Sequence, residues 1–218
     1  MFFILLCVFA LLCYLLGSIP FSYLAGKLLK GIDLREHGSG NLGATNTYRM
    51  LGFKTALVVG ILDALKGFSP VLLLPGLIIS ISNADVPEIV VGTHTIIVIR
   101  IILGMAVISG HVWTAFLGFK GGKGVTTAFG VFLAIAPIAT AASLIVWMTI
   151  LHFFSKVSVA SMITAILFPA FLYLFRENLV ESEKLLFFFS LAVALLVIFT
   201  HRSNILRLMR GEEKDIKE

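Results

Sequence analysis

The sequence starts with FFILLCVFALLCYLLGSIP at residues 2–20, and this almost uninterrupted apolar run decides the class of fold. The run continues to Leu29 with few polar residues, which exceeds the about 20 residues that a helix needs to cross a bilayer. A secretory signal peptide would have a basic segment before its apolar run, and none precedes Phe2. We therefore predict a membrane span, with a kink at Pro20 because proline removes a backbone donor.

The composition extends this interpretation to the whole chain. Of its 218 residues 59% are hydrophobic and 13% are charged, and the mean hydropathy is +1.04. Soluble domains carry about 25% charged residues. The composition thus excludes a disordered chain, a nucleic-acid-binding domain and a disulfide scaffold, and Cys7 and Cys13 predict neither a disulfide nor a zinc site. We predict one integral membrane domain over residues 1–218.

Apolar segments separated by short polar loops predict an all-α, polytopic membrane protein with seven transmembrane helices. The predicted spans cover about residues 2–24, 51–81, 95–116, 125–136, 138–154, 159–175 and 185–200. Pro137 separates the fourth span from the fifth, and a single kinked helix is the alternative.

The distribution of charge predicts the orientation, because cytoplasmic loops are enriched in lysine and arginine. An N-terminus outside and a C-terminus in the cytoplasm place 13 of the 17 basic residues on inner segments. The outer loops then hold the acidic residues Asp85, Glu88, Glu177, Glu181 and Glu183. Merging spans four and five would put the basic tail outside, so this bias favours seven spans.

A glycine-rich segment, GSGNLGATNTYR at residues 38–49, follows the first span. Glycines let backbone amides approach an anion, and a helix N-terminus adds its dipole. We predict an anion site here, formed by the loop amides at Gly38 and Gly40, the hydrogen-bond donors Ser39, Asn41, Thr45 and Asn46, and the cation Arg49. The alternative is an ordinary turn in which Thr45 or Asn46 caps span two.

Two further segments lie on the same predicted face. FKGGKGVTT at residues 119–127 places Lys120 and Lys123 around Gly121 and Gly122 at the start of span four, although the lysines could simply anchor helix ends. HRSNILRLMRG at residues 201–211 places His201 and Asn204 on one helical face. Its arginines could instead contact anionic lipid. Together the three segments predict a site for phosphate-bearing ligands.

Polar residues also occur within the predicted spans. Asp63 and Lys66 are three residues apart in span two and are predicted to pair, with a structural and a functional role equally open. Ser158 and Ser161 are interpreted as helix caps at the start of span six, with a contact to the site as the alternative. We interpret His111 as a structural histidine.

The motifs GSIP (17–20), GSGNxGxTNxxR (38–49), GHxxxxFxxFKGGKGV (110–125) and HxxNIxRLxxGxE (201–213) occur in span order along the whole chain. On these motifs the chain resembles the bacterial membrane-embedded acyl-phosphate:glycerol-3-phosphate acyltransferases. Many members place a proline before the phenylalanine of the third motif, where this chain has Trp113-Thr114-Ala115.

The resemblance implies a seven-span fold and transfer of an acyl group from acyl phosphate to the 1-hydroxyl of glycerol 3-phosphate, giving lysophosphatidic acid and inorganic phosphate. It implies a monomer in the bacterial inner membrane, with its site facing the cytoplasm and without cofactor or metal. The catalytic residues would be His201, Asn204, Lys123, Arg49 and Ser39. The substrate-binding residues would be Gly38, Gly40, Asn41, Thr45, Lys120, Gly121, Gly122 and Ser161.

The sequence also argues against three other functions. A transporter or flippase for a phosphorylated solute is the main alternative, but its outer loops would offer only acids and no matching site. No histidine is followed five residues later by aspartate, which excludes the His-x4-Asp mechanism of acyl-CoA acyltransferases. Asp63 is the single aspartate within a predicted span, which excludes the two-metal site of CDP-alcohol phosphotransferases.

Overall fold

The computed structural model describes residues 1–82, 93–175 and 183–216, including every side chain except those of residues 93, 94 and 183. Throughout these residues the regular structure is helical, as the sequence predicted. The acids Asp85, Glu88, Glu177 and Glu181, which the orientation prediction uses, lie outside the described residues.

The described residues form ten α-helices, which we number in chain order. They are α1 (Phe2–Gly17), α2 (Phe21–Lys30), α3 (Ala44–Leu51), α4 (Phe53–Ser82), α5 (Thr93–Val112), α6 (Val125–Ile135), α7 (Pro137–Phe154), α8 (Val157–Phe175), α9 (Glu183–Thr200) and α10 (Arg202–Met209). A short 3-10 helix, Ala115–Leu117, follows α5.

Five helical segments of the described chain are long and apolar enough to cross a membrane: Phe2–Lys30, Phe53–Ser82, Thr95–Leu117, Pro137–Phe154 and Val157–Phe175. The α9–α10 pair, bent by 56°, counts as a sixth if it is one span. Helix α6 is apolar but has only 11 residues. These observations establish an all-helical integral membrane protein, whereas the count of seven spans remains a prediction.

Breaks in the chain occur where proline and glycine predicted them, but the first span is not one helix to residue 24. Helix α1 ends at Gly17, and α2 begins after Pro20 and extends to Lys30. Ala136, with φ −138° and ψ 73°, separates α6 from α7, so these are two helices rather than one continuous helix. Helix α3, a separate helix ahead of α4, was not predicted from the sequence.

Close glycine contacts set the spacing of the central helices. A Cβ atom on Gly17 would lie 2.1 Å from the Val107 carbonyl oxygen, and one on Gly110 would lie 2.1 Å from that of Tyr14, so α1 and α5 touch through their backbones. Between α4 and α6, a Cβ on Gly130 would lie 2.0 Å from the Ala64 carbonyl oxygen. Small residues permit such approaches between membrane helices.

Apolar side chains fill the remaining space between these helices. The Phe132 ring of α6 lies 4.5 Å from that of Phe168 in α8 and 5.1 Å from that of Phe189 in α9, measured between centroids. Val71 of α4 and Leu103 of α5 are fully buried in the same cluster. This core fixes the helix ends from which the three glycine-rich and basic segments project.

Candidate active site

An open cleft of about 160 Å³ lies where the three predicted segments meet. The first loop contributes Ser39, Gly40 and Asn41, and the second contributes Lys123. The bend between α9 and α10 contributes Thr200, Ser203 and Arg207. The lining therefore consists of two cations and several neutral hydrogen-bonding groups, which is a suitable composition for binding an anion.

Asn46 shapes the first loop from within. Its buried Oδ1 accepts the Ser39 N–H at 2.9 Å, and its Nδ2 donates at 3.0 Å both to the Leu34 and to the His37 carbonyl oxygens. The alternative that Thr45 or Asn46 caps a helix is wrong, because Gly43 is the N-cap of α3 and both residues lie inside the helix. Asn46 instead holds Ser39 at the cleft.

Gly38 is required by this arrangement. It adopts φ +63°, and a Cβ atom there would lie 2.2 Å from Asn46 Oδ1. The Gly40 N–H is also used internally, since it donates to the His37 carbonyl oxygen at 3.1 Å. The amides of Ser39 and Gly40 therefore maintain the loop, and its side chains are the groups that face the cleft.

The second loop packs against the end of α5. Gly121 N–H donates to the Val112 carbonyl oxygen and Gly122 N–H to that of His111, each at 3.0 Å. A Cβ on Gly122 would lie 2.3 Å from His111 Nε2 and 2.5 Å from the Leu42 carbonyl oxygen, which belongs to the first loop. Gly121 and Gly122 thus allow the two loops to pack closely together. Their N–H groups are hydrogen-bonded to the end of α5 and do not face the cleft as donors.

A hydrogen-bonded chain links the second loop to α10 and to the tail. Lys123 Nζ donates to Asn204 Oδ1 at 2.5 Å, and Asn204 Nδ2 donates to Glu213 Oε1 at 2.6 Å. Arg207 Nε donates to Glu213 Oε2 at 2.8 Å, and Ser158 Oγ donates to Oε1 at 2.6 Å. Glu213 thereby holds Arg207 and Asn204 beside Lys123.

These contacts and burial shift the pKa values of the ionisable groups. Burial lowers the pKa of Lys123 to about 8, with the nearby charges of Arg207 and Arg49 adding to the effect while that of Glu213 opposes it. Burial alone would raise the pKa of Glu213, but hydrogen bonds from Ser158, Asn204 and Arg207 outweigh it and hold that pKa below its ordinary value. At neutral pH Glu213 is ionised and Lys123 is mostly charged.

His201 is buried at the N-cap of α10, adjacent in sequence to the cleft-lining Thr200. Its Nδ1 lies 2.7 Å from the Val197 carbonyl oxygen, and because a carbonyl only accepts, Nδ1 carries the proton. Burial, together with the charge of Lys123, lowers the pKa of His201 to about 4. At neutral pH the imidazole is therefore uncharged, with the lone pair on Nε2.

Arg49 is held by the C-terminal tail at the edge of this region. Its Nη2 donates to the carbonyl oxygens of Asp215 at 2.9 Å and Lys214 at 3.3 Å. Its Nε is buried without a hydrogen-bond partner among the described residues. Arg49 does not line the cleft, but its charge acts on Lys123.

The remaining predicted site residues lie at varying distances from the cleft. Thr45 lies in the first turn of α3, and Lys120 is exposed beside the second loop. Ser161 is buried inside α8 and accepts a hydrogen bond from Trp147 Nε1 at 3.2 Å. The predicted capping role of Ser158 and Ser161 is wrong, since both lie within α8.

The predicted Asp63–Lys66 pair is present and buried, with Lys66 Nζ 2.7 Å from Asp63 Oδ1. A third member was not predicted from the sequence: His111 Nδ1 lies 3.5 Å from the same Asp63 oxygen. Lys66 Nζ also donates to the Ile19 carbonyl oxygen, in the break between α1 and α2, at 2.9 Å. Asp63, Lys66 and His111 line a small cavity together with Gly121 and Gly122 of the second loop.

Four residues near the cleft were not predicted as site residues: Thr200, Ser203, Arg207 and Glu213. A signal for two of them was available, because Arg207 and Glu213 occupy specified positions of the HxxNIxRLxxGxE motif. In the part of the chain that the structure describes, no three His, Cys, Asp or Glu side chains cluster in a way that could hold a metal ion.

Comparison with known proteins decides the family. A profile described as glycerol-3-phosphate acyltransferase matches residues 7–211. The chain belongs to the glycerol-3-phosphate acyltransferase family. This confirms the resemblance that the motifs indicated.

Curated glycerol-3-phosphate acyltransferases resemble the chain over nearly its whole length. The protein of Chlorobium phaeobacteroides strain BS1 is 40% identical over 224 residues, covering 94% of this chain and 93% of the relative. That of Chlorobaculum tepidum is 40% identical over 217 residues, covering 92% and 91%.

Two crystal structures of PlsY, an integral membrane glycerol 3-phosphate acyltransferase, have the same fold. The glycerol 3-phosphate form superposes with a TM-score of 0.81 at 37% identity, covering 96% of this chain and 94% of that chain. The lysophosphatidic acid form gives a TM-score of 0.79 at 36% identity, with the same coverage. The fold that this chain shares with PlsY therefore covers 96% of its length.

Proposed function

We propose that the protein transfers a fatty acyl group from acyl phosphate to the 1-hydroxyl of sn-glycerol 3-phosphate, the first acylation of phospholipid synthesis. The observation that carries the proposal is the cleft in which Lys123 and Arg207 face Ser39, Asn41 and Ser203. Two cations among neutral donors suit a phosphate group. Structures of the related PlsY are described as its glycerol 3-phosphate form and its lysophosphatidic acid form. These two molecules are the acceptor substrate and the product of the proposed reaction.

The reaction needs no covalent enzyme intermediate, because acyl phosphate is already an activated anhydride. The 1-hydroxyl oxygen attacks the acyl carbon, a new ester C–O bond forms, and the C–O bond to phosphate breaks. The hydroxyl proton leaves with inorganic phosphate, and we assign a substrate phosphate oxygen as its acceptor. The enzyme supplies proximity and charge stabilisation for two anionic substrates.

We assign the binding of phosphate to the first loop and its neighbours. Ser39, Asn41 and Thr45 contact phosphate in a loop shaped by Gly38 and Gly40. Lys123 and Arg207 supply counter-charge within the cleft, and Arg49 adds its charge from the edge. Lys120 adds charge beside the second loop, and Gly121 and Gly122 position Lys123. We also assign Ser161, which accepts a hydrogen bond from Trp147 inside the bundle, to the binding of substrate.

His201 and Asn204 orient glycerol 3-phosphate in this mechanism. The neutral imidazole can accept a substrate hydroxyl at Nε2, since Nδ1 donates to the Val197 carbonyl oxygen. A pKa of about 4 makes His201 a weak base at neutral pH, which favours positioning over proton abstraction.

Replacing His201 with glutamine separates the two roles. Glutamine retains a hydrogen-bonding side chain but has no titrating ring. We expect His201→Gln to retain near-normal kcat, measured as inorganic phosphate released from acyl phosphate and glycerol 3-phosphate. A loss of several orders of magnitude in kcat would support the base role and contradict the positioning role.

For topology we propose seven spans, with the N-terminus outside and the C-terminus in the cytoplasm of the bacterial inner membrane. Helix α6 would be the short fourth span, and α9 the seventh. The excess of lysine and arginine on the segments that carry the cleft supports a cytoplasmic site. We further propose that residues 1–218 form one domain that acts as a monomer.

The function is tested with purified protein that receives acyl phosphate and glycerol 3-phosphate together. We expect lysophosphatidic acid and inorganic phosphate in equal amounts, and neither product when acyl-CoA replaces acyl phosphate. Uptake of glycerol 3-phosphate into vesicles without phosphate release would favour the transporter instead.

A further inference from the structure

The C-terminal tail, residues 214–216, is attached to the rest of the protein at three points. Asp215 Oδ1 lies 2.6 Å from Lys156 Nζ, at the start of α8. The Ile216 N–H donates to the Ser155 carbonyl oxygen at 2.8 Å. The third point is Arg49, whose Nη2 donates to the tail carbonyl oxygens. The segment therefore bridges the α7–α8 turn and the end of α3.

The tail holds Arg49 without using all of its hydrogen-bonding capacity. Both tail contacts involve Nη2, whereas a guanidinium has five N–H donors on three nitrogens. The attachment fixes the direction of the side chain and leaves Nε and Nη1 outside these two bonds. An arginine that is already ordered loses less side-chain entropy when it binds an anion.

Lys156 and Asp215 serve as the anchor of this attachment. Their side chains are 31% and 43% exposed, so salt weakens the pair. The adjacent Ile216–Ser155 backbone bond adds a contact that does not depend on charge. Removing either contact alone leaves the other, whereas removing both releases the tail from α8.

We propose that residues 214–216 form a strap that positions the Arg49 guanidinium beside the cleft, with Asp215 as a positioning residue. This inference rests on the proposed function, in which Arg49 supplies counter-charge to a substrate phosphate. The strap does not contact the reacting atoms. By positioning Arg49, it raises the affinity of the protein for phosphate-bearing substrates.

The test releases the strap and keeps the chain at full length. Asp215→Ala removes the ion pair, and Ile216→Pro removes the N–H donor to Ser155. In the double variant we expect the KM for at least one of the two phosphate-bearing substrates to rise about 10-fold, with kcat within about 3-fold of the unaltered protein. The matched control is Glu212→Ala, which removes an exposed acid two residues before the strap. We expect this variant to leave kcat and KM unchanged.

Two further variants distinguish positioning from a general structural effect. In an Ile216→Pro background, where the ion pair is the remaining contact of the tail with Lys156 and Ser155, exchanging the charges, with Lys156→Asp and Asp215→Lys together, restores the KM that Asp215→Ala or Lys156→Ala raises. In an Arg49→Gln background the double strap variant raises KM no further, since the strap acts through Arg49. Additive effects of Arg49→Gln and the strap variants would overturn the proposal, as would unchanged KM values for both substrates.

A binding measurement keeps this inference separate from the proposed function. The dissociation constant for inorganic phosphate is measured calorimetrically on the detergent-purified protein, and we expect it to rise about 10-fold in the double strap variant. If the unaltered protein releases no phosphate from the substrate pair, the proposed function fails, whereas this binding result still tests the strap. Equal phosphate affinity in both proteins would overturn the strap.

Discussion

At Lys123, burial and charge act together on one ammonium group. The residue donates to Asn204, and its surroundings lower its pKa to about 8. A lysine with an ordinary pKa near 10.5 stays charged across the physiological range. Lys123 instead loses its charge as the pH rises through about 8, so its counter-charge for phosphate is a pH-dependent property.

We therefore expect kcat/KM for glycerol 3-phosphate to fall as the pH rises above about 8. Lys123→Arg keeps its positive charge at higher pH because arginine does not deprotonate in this range. We expect kcat/KM of this variant to fall only at a higher pH than in the unaltered protein, even if its overall activity is lower. The pH profile of phosphate release measures this. Lys54→Arg, at an exposed position, is the control, and an alkaline limb at the same pH in Lys123→Arg would contradict the assignment.

At the scale of the elements, the close contact between α4 and α6 positions the second loop. A Cβ on Gly67 would lie 2.2 Å from the Thr127 carbonyl oxygen, and one on Gly130 would lie 2.0 Å from that of Ala64. Backbone atoms cannot rotate aside, so even one methyl group must separate the helices. Because Lys123 lies two residues before the start of α6, such a separation would also move the cleft.

Gly67→Ala and Gly130→Ala are each expected to destabilise the protein by about 1–3 kcal/mol, the usual effect of overpacking. Thermal unfolding in detergent measures this. The matched control is Gly76→Ala in the same helix α4, where a Cβ meets no atom within 4 Å. Equal unfolding temperatures for Gly67→Ala and Gly76→Ala would contradict this prediction, because α4 and α6 would then accommodate a methyl group without loss of stability.

At the scale of the whole molecule, the Asp63–Lys66–His111 cluster joins three parts of the bundle. It connects α4 to α5 through His111 and to the α1–α2 break through the Ile19 carbonyl oxygen. Asp63 and Lys66 have side chains only 3% and 2% exposed, so each requires the other for charge compensation. The cluster also contacts the second loop, because the His111 carbonyl oxygen accepts the Gly122 N–H at 3.0 Å.

Asp63→Ala leaves Lys66 buried without its carboxylate, and we expect a loss of about 3–5 kcal/mol of stability. Replacing both members, with Asp63→Leu and Lys66→Met, removes the two buried charges and is expected to recover part of that loss. Thermal unfolding of the three purified proteins makes the comparison. A double variant less stable than Asp63→Ala would indicate that the cluster contributes more than charge compensation.

The helices were largely predictable, and the contacts of the site were only partly so. Pro20 and Pro137 marked real breaks, and the apolar segments reappear as long helices. The sequence did not predict that Arg207 turns into the cleft, because a basic residue after a span fits lipid contact equally well. Glu213, which orients Arg207, reaches that side chain only because the chain folds back toward α10 after its end.

The sequence by itself determined that this is a helical membrane protein, where its helices break, and which cations and glycine turns are available for an anion. Hydropathy, proline and glycine act locally, so a linear sequence displays them directly. Only the tertiary structure decided which groups meet: Lys123 with Asn204, 81 positions away, and Arg49 with the Asp215 carbonyl oxygen, 166 positions away. Such pairings depend on how the helices pack, because a side chain's charge and size do not specify its partner.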